Sequence, residues 1–255
     1  MFSSLFLYPL AAVVITSSVA FLGVLVLVVR EEFLRKILLF LVSISAGALF
    51  GDAFLHLIPD AILRGGGDDA VLVSSLILFG VFSFFILEKF LHWHHHHADE
   101  GEVDDSSIHP VGYMTIIADI AHNFIDGVAI AASFAVSVPV GVATTFAVFL
   151  HEIPHEVGNV ALLIHSGFEK RRAVILNLVS AVFAILGTLV TIVLSIKFSN
   201  IVGYLIPFTA GTFIYIAGSD LLPELHKSTE VKKTMYQFLG IMIGIFSMYL
   251  LLIVG

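Results

Sequence analysis

The sequence predicts an all-α integral membrane protein with eight transmembrane helices, in which spans one to three and six to eight form an inverted repeat around a central pair, spans four and five. Composition is the first observation behind this prediction. Of the 255 residues, 58% are hydrophobic and 13% are charged, whereas about a quarter of the residues of a soluble domain are charged. The other two observations are a series of long apolar segments and the uneven distribution of basic residues.

The apolar segments give the helix count, because a bilayer-crossing helix needs about 20 mainly apolar residues. The first charged residue is Arg30, so the N-terminal apolar segment is interpreted as a span rather than a signal peptide. The turn Ser137-Val138-Pro139 is very short, so spans four and five must be antiparallel neighbours. The predicted spans, which form a single transmembrane domain over residues 1–255, are roughly 8–29, 37–58, 71–91, 111–136, 139–165, 173–196, 200–223 and 234–254.

The basic residues predict the orientation. With the N-terminus outside, ten of the twelve Lys and Arg residues fall on the cytoplasmic side, and only Arg64 and Lys197 remain outside. A bias of this kind is the usual orientation signal of membrane proteins. Both termini are therefore predicted to be extracytoplasmic, in the plasma membrane or a bacterial inner membrane. The basic residues are few and scattered, so no nucleic-acid partner is expected.

Two segments of the chain resemble each other and indicate the inverted repeat. Span two reads AGALFGDAFLHLIPD over residues 46–60, and span seven reads AGTFIYIAGSDLLPE over residues 210–224. In each, Ala-Gly is followed at matched spacing by a polar residue, a proline and an acid. The two spans run in opposite directions, and inverted repeats place a substrate site near the bilayer midplane between the two halves.

Spans four and five are interrupted by ionisable residues, and these carry the functional prediction. Residues four positions apart share a helix face, so His122 stacks with Asp126, and His151 with His155. An ionised acid at bilayer depth costs roughly 2.5–3.5 kcal/mol, and neither span contains Lys or Arg. A bound dication would neutralise these acids, which makes the two faces a candidate metal site. The candidate ligands are His122, Asn123, Asp126, His151, Glu152 and His155.

The ligand types narrow the choice of metal without settling it. The chain has no cysteine, which excludes thiolate sites, and imidazole with carboxylate suits zinc and its first-row neighbours. Zn²⁺ is the predicted substrate, although Fe²⁺, Mn²⁺ and Cd²⁺ accept the same ligands. The sequence leaves open whether one or two ions bind and whether the chain forms a homodimer. A hydrogen-bonded network without metal, or a proton relay, is the alternative interpretation of these residues.

Other ionisable residues suggest a route for the metal. A proline cannot donate to the carbonyl four residues earlier, so Pro154 leaves the Leu150 oxygen free beside His151. A cytoplasmic loop rich in histidines and acids, residues 92–109, is predicted to capture metal or simply to be solvated. Its histidines are His92, His94, His95, His96 and His97. The predicted pathway residues are Asp52, His56, Asp119, Glu156, Asp220 and Glu224.

An intramembrane zinc metalloprotease is the competing function. Residues 151–155 match the H-E-x-x-H pattern, in which two histidines bind zinc and the glutamate acts as general base. A single hydrolytic zinc does not require the second ligand pair in span four, however, and a proline within the motif is unusual for a catalytic helix. A transporter rather than an enzyme is therefore predicted.

The motifs of the central pair resemble those of a known family. HNFIDGVAIAASF in span four and HEIPHEVGN in span five are similar to the paired signatures of the ZIP (Zrt-, Irt-like protein) metal transporters. The closest likeness is to the subfamily with a His-Glu-x-Pro-His-Glu signature in the fifth span. GDAFLHLIPDA and AGTFIYIAGSDLLPEL also resemble the second and seventh spans of that subfamily.

The resemblance implies a function and two ligand sets. It implies transport of a divalent metal ion towards the cytosol by alternating access. One metal would be held by His122, Asp126, His151 and His155. A second, adjacent metal would be held by Asn123, Glu152 and a bridging Asp126.

Overall fold

The computed structural model describes residues 2–64, 70–98, 109–198, 200–227 and 230–254, and these residues are almost entirely helical. The first span combines two α-helices with a 3₁₀ segment, Ser18–Val24, between them. Spans two and seven each contain a short π-helical segment, Ala53–Leu57 and Ile216–Leu221. The α-helices are α1 Phe2–Ser17, α2 Leu25–Val28, α3 Glu31–Asp52, α4 Ile58–Arg64, α5 Ala70–Ala98, α6 Pro110–Val136, α7 Val138–His165, α8 Lys170–Lys197, α9 Ile201–Tyr215, α10 Leu222–His226 and α11 Val231–Val254.

Seven helical segments in the described part of the chain are long and apolar enough to cross a bilayer. They correspond to every predicted span except the fifth. That span is α7, which has 28 residues but whose middle carries two histidines and two glutamates. The all-α membrane architecture is thus confirmed, whereas the count of eight spans depends on α7 and stays a prediction.

The connection between α6 and α7 is as short as the sequence indicates. Ser137 is the single residue between the two helices, and its extended backbone (φ −163°, ψ 161°) reverses the chain. The Ser137 hydroxyl accepts a hydrogen bond from the Val140 N–H at 3.3 Å, which caps the first turn of α7. The polar faces of spans four and five are therefore held side by side.

The two resembling segments are also alike in structure, which supports the predicted repeat. In both, a π-helical segment immediately precedes the proline-containing turn, at Pro59 in span two and at Pro223 in span seven. π segments contain one extra residue per turn and are frequent at functional sites. The equivalent glycines, Gly47 and Gly211, lie against the backbone carbonyls of Ile241 and Ile77 respectively. Span two thus packs closely on span eight, as span seven does on span three.

One boundary differs from the prediction in a way that concerns function. The third span was predicted to end near residue 91, with the histidine-rich loop beginning at 92. Helix α5 instead continues to Ala98, so the histidines at 92 and 94–97 belong to the helical backbone. Their side chains, and residues 99–108 of the predicted loop, lie outside the described part of the chain.

Candidate metal centre

The candidate ligands of α6 and α7 come together in the interior, as the sequence predicts. His122, His151 and Glu152 are 7%, 2% and 3% exposed, and the side chain of His155 is 24% exposed. The Nε2 atoms of His122 and His151 are 2.9 Å apart. The rings of His122 and His155 stack with their centroids 4.2 Å apart. His151 and His155 of α7 therefore both face His122 of α6.

Four residues can each offer a ligand atom to a single ion: His122, His151, Glu152 and His155. These atoms all lie within 4.8 Å of one another. Glu152 Oε1 is near the centre of the group, 3.4 Å from His122 Nε2, 3.7 Å from His155 Nδ1 and 4.0 Å from His151 Nε2. It is buried and has no hydrogen-bond partner among the described residues. Three imidazoles and a carboxylate form a ligand set typical of zinc.

Asp126 and Asn123 lie beside this group rather than in it. Asp126 Oδ2 is 3.4 Å from His122 Nε2, and both carboxylate oxygens are buried without a hydrogen bond among the described residues. The Asn123 amide donates instead to the carboxylate and to the backbone carbonyl of Asp119, both at 3.1 Å. The glutamate on the flank of α7 thus occupies the position among the histidines that the resemblance implies for Asp126.

Sequence comparisons identify the family. The model of the ZIP zinc transporter family matches residues 3–109 and 93–252 of this chain. The chain belongs to the ZIP zinc transporter family. Members of this family are transporters, and nothing in the comparisons supports the protease interpretation of residues 151–155.

Three relatives show how far the similarity extends. The zinc transporter SLC39A7 of Mus musculus is 31% identical over 97% of this chain and 70% of its own length. The zinc transporter zipt-7.2 of Caenorhabditis elegans is 31% identical over 84% of this chain and 58% of its own length. The zinc transporter YKE4 of Saccharomyces cerevisiae is 34% identical over 80% of this chain and 68% of its own length. This ZIP chain thus spans about three fifths to seven tenths of the length of these three relatives.

A cavity of about 260 Å³ leads away from the candidate ligands. His122 and His155 line its inner end together with Asp119, and Leu162, which is 40% exposed, lines its outer end. Asp220 of the seventh span and Glu88 of the third also line it. The cavity follows α6 towards its first residue and α7 towards its last, so it lies in the half of the protein nearest the basic residues 170–172.

The remaining predicted pathway residues fall into separate places. Asp52 and His56 are buried in span two, where Asp52 Oδ1 is 3.2 Å from His56 Nδ1. Thr144 of α7 donates to the other Asp52 oxygen at 2.8 Å. Glu156 is 1% exposed, and neither carboxylate oxygen has a hydrogen-bond partner among the described residues. Glu224 is paired with Lys227 at 2.5 Å near the end of span seven, away from the centre.

The carbonyl that Pro154 leaves without its helical donor has a partner that sequence reasoning missed. Ser45 of span two, which is fully buried, can donate its hydroxyl to Leu150 O at 2.7 Å as well as to Leu41 O of its own helix at 2.8 Å. The proline alone suggests that Leu150 O is a free ligand beside His151, but the serine hydroxyl is its partner. The bond instead joins span two to the turn of α7 that carries His151. The signal was indirect, since span two contains two serines, Ser43 and Ser45, and no local pattern indicates which carbonyl either hydroxyl reaches.

Ser45→Ala is expected to lower the stability of this ZIP protein, because it removes the side-chain donor to the partly buried carbonyl of Leu150. Leaving such a group unpaired costs about 1–3 kcal/mol, which thermal unfolding in detergent would detect. Ser43→Ala is the matched control, because among the described residues the Ser43 hydroxyl donates only to Leu39 O, within its own helix. Equal melting temperatures for the two variants would show that the bond to Leu150 O contributes nothing.

Proposed function

We propose that this protein carries Zn²⁺ across the membrane through a site formed by His122, His151, Glu152 and His155. The observation that carries the proposal is the convergence of four buried ligand atoms within 4.8 Å, from two spans that contain no Lys or Arg. Three imidazoles cannot neutralise the Glu152 carboxylate unless they are protonated, whereas a bound dication neutralises it directly. The names of the zinc-transporting relatives support zinc as the substrate.

Asp126 is the residue best placed to complete or extend this site. Its carboxylate lies 3.4 Å from the His122 nitrogen and is buried without a hydrogen bond. A rotation of the side chain would bring it to an ion held by His122. A second ion between Asp126, Asn123 and Glu152 remains a proposal, as do Fe²⁺, Mn²⁺ and Cd²⁺ as alternative substrates and a homodimer as the assembled form.

The distribution of cavity and packing supports movement towards the cytosol. The cavity lies on the side of the centre that the basic residues place in the cytoplasm. On the other side, most residues of α6 and α7 that are fully or almost fully buried are small and apolar. They include Ala129, Ala132, Ala143, Ala147 and Val148. This arrangement fits a state that is closed to the outside and open to the cytoplasm, one of the two states that alternating access requires.

Asp52 and His56 provide the complementary polar step towards the outside in this proposal. Thr144 of α7, which donates to Asp52, lies two helical turns from His151 along the same face. The distance is about 10 Å at a rise of about 1.5 Å per residue. Asp220 would act on the cavity side, since it lines the cavity, and Glu156 beside the ligands. Glu224 would act at the end of the seventh span.

Reconstitution into liposomes tests the proposal. Vesicles containing the purified protein and a zinc-sensitive dye inside should show zinc-dependent fluorescence that protein-free vesicles lack. Binding of zinc to the purified protein without flux into vesicles would instead indicate a metal sensor. Cleavage of a membrane peptide together with an absence of flux would favour the protease interpretation.

A further inference from the structure

Asp119 is the most heavily hydrogen-bonded side chain near the centre. It lies one turn before His122 on α6 and is 4% exposed. Its Oδ1 atom accepts hydrogen bonds from the amides of Asn123 at 3.1 Å and Asn159 at 2.7 Å. Its Oδ2 atom accepts a short hydrogen bond from the Ser180 hydroxyl of α8. Donors from three successive spans thus fix one carboxylate.

These three hydrogen bonds argue against Asp119 as a transient ligand on the metal pathway. A passing ion would have to displace donors that already occupy both oxygens. Asp119 is also absent from the group of four residues whose ligand atoms lie within 4.8 Å of one another. By contrast, Glu152 and Asp126 leave carboxylate oxygens unpartnered, as expected of atoms that bind an ion.

The three donors are neutral, so they orient the carboxylate without cancelling its charge. Spans four and five contain no Lys or Arg, and the basic residues of span six lie only at its two ends, at 170–172 and 197. The nearest group that can become positive is His155, whose Nδ1 atom is 3.8 Å from Asp119 Oδ1. A cation bound by His155 and its neighbours would be the natural counter-charge.

We propose that Asp119 is an outer carboxylate of the metal centre, whose fixed negative charge stabilises the bound dication without ligating it. The inference rests on the proposed function. Loss of a group that lies just outside the ligands of a metal typically lowers metal affinity about 10–100-fold. Asn123, Asn159 and Ser180 act one step further out, because they hold the carboxylate in place.

Asp119→Asn tests this role, because the residues that surround the Asp119 carboxylate can also form hydrogen bonds with an amide. The new side chain can take a hydrogen bond from Asn159 and donate to Ser180. Ser180 can then donate to Asn177 O, which already lies 2.8 Å from its hydroxyl. We expect zinc affinity of the purified protein, measured by competition with a chelating dye, to fall about 10–100-fold. Melting of the metal-free protein should stay unchanged or rise, since an uncompensated buried charge has been removed.

Two reference variants make the outcome decisive. Asn177→Ala removes a different buried amide, on α8, which donates to Ala20 O at 3.4 Å. This variant should lower the melting temperature of the metal-free protein and leave its zinc affinity unchanged. Ser180→Ala keeps the Asp119 charge and should lower affinity less than Asp119→Asn does. If Asp119→Asn behaves like Asn177→Ala, the residue is only structural and the proposal is overturned.

The remaining outcomes are equally informative. Wild-type affinity combined with a lower maximal rate of uptake would make Asp119 a pathway ligand and also overturn the proposal. The wild-type protein and His122→Ala are measured alongside. Failure of the wild-type protein to bind zinc would overturn the proposed function itself, which is a different result from an unaffected Asp119→Asn variant.

Discussion

Replacement of His122 by alanine is expected to reduce zinc uptake to the level of empty vesicles. The Nε2 atom of His122 lies close to three other candidate ligands. It is 2.9 Å from His151 Nε2 and 3.4 Å from both Glu152 Oε1 and Asp126 Oδ2. Loss of a residue that only orients a ligand lowers affinity about 10–100-fold, so loss of a shared ligand should exceed that range. Equilibrium binding and vesicle uptake should fall together.

The histidine content of the chain provides a matched control for this variant. His165 lies at the last position of α7 and is exposed, so His165→Ala should leave uptake at the wild-type level. Deletion of residues 94–97 should change the rate of uptake only modestly, because these histidines are not among the proposed ligands. Equal loss of uptake in the deletion and in His122→Ala would show that the proposed position of the metal site is wrong.

Much of the architecture could be predicted because helical periodicity and bilayer thickness are strong constraints. The spacing of four between His122 and Asp126, and between His151 and His155, fixes which side chains share a face. The short turn at Ser137 then requires the two faces to lie on adjacent helices. Together these local features predicted that the histidines of spans four and five would meet, and the structure brings them within contact distance.

The arrangement around the ligands could not be predicted in the same way, because it depends on contacts between distant parts of the chain. Ser45 and Leu150 are 105 residues apart, and Asp119 and Ser180 are 61 residues apart. No local pattern indicates which hydroxyl will reach which oxygen. The rotation of α7 relative to α6 is also set by packing, and it decides that Glu152 rather than Asp126 lies among the three histidines.

Glu152→Gln is expected to abolish high-affinity zinc binding while leaving the fold intact. Glutamine has nearly the same shape as glutamate, but it lacks the charge that a dication requires. The Glu152 carboxylate is 3% exposed and approaches three histidine nitrogens within 4.0 Å. As with His122, the loss of affinity should exceed the roughly 10–100-fold typical of an outer-shell residue. The metal-free protein should melt at an unchanged or higher temperature, because an acid costs roughly 2.5–3.5 kcal/mol at bilayer depth.

The two expected effects, a loss of zinc affinity and an unchanged or higher melting temperature, together distinguish a metal ligand from an acid that only supports the structure. A carboxylate that only joined helices by hydrogen bonds would, on conversion to the amide, lower stability and leave zinc affinity unchanged. Glu169→Gln is the control, since Glu169 is exposed just before α8 and should change neither quantity. Asp126→Asn should be measured beside Glu152→Gln. If Asp126→Asn abolishes binding and Glu152→Gln retains wild-type affinity, the ion is held as the family resemblance implies, and Glu152 is not its ligand. If both abolish binding, the two carboxylates hold the metal together, because each supplies charge that the three histidines cannot.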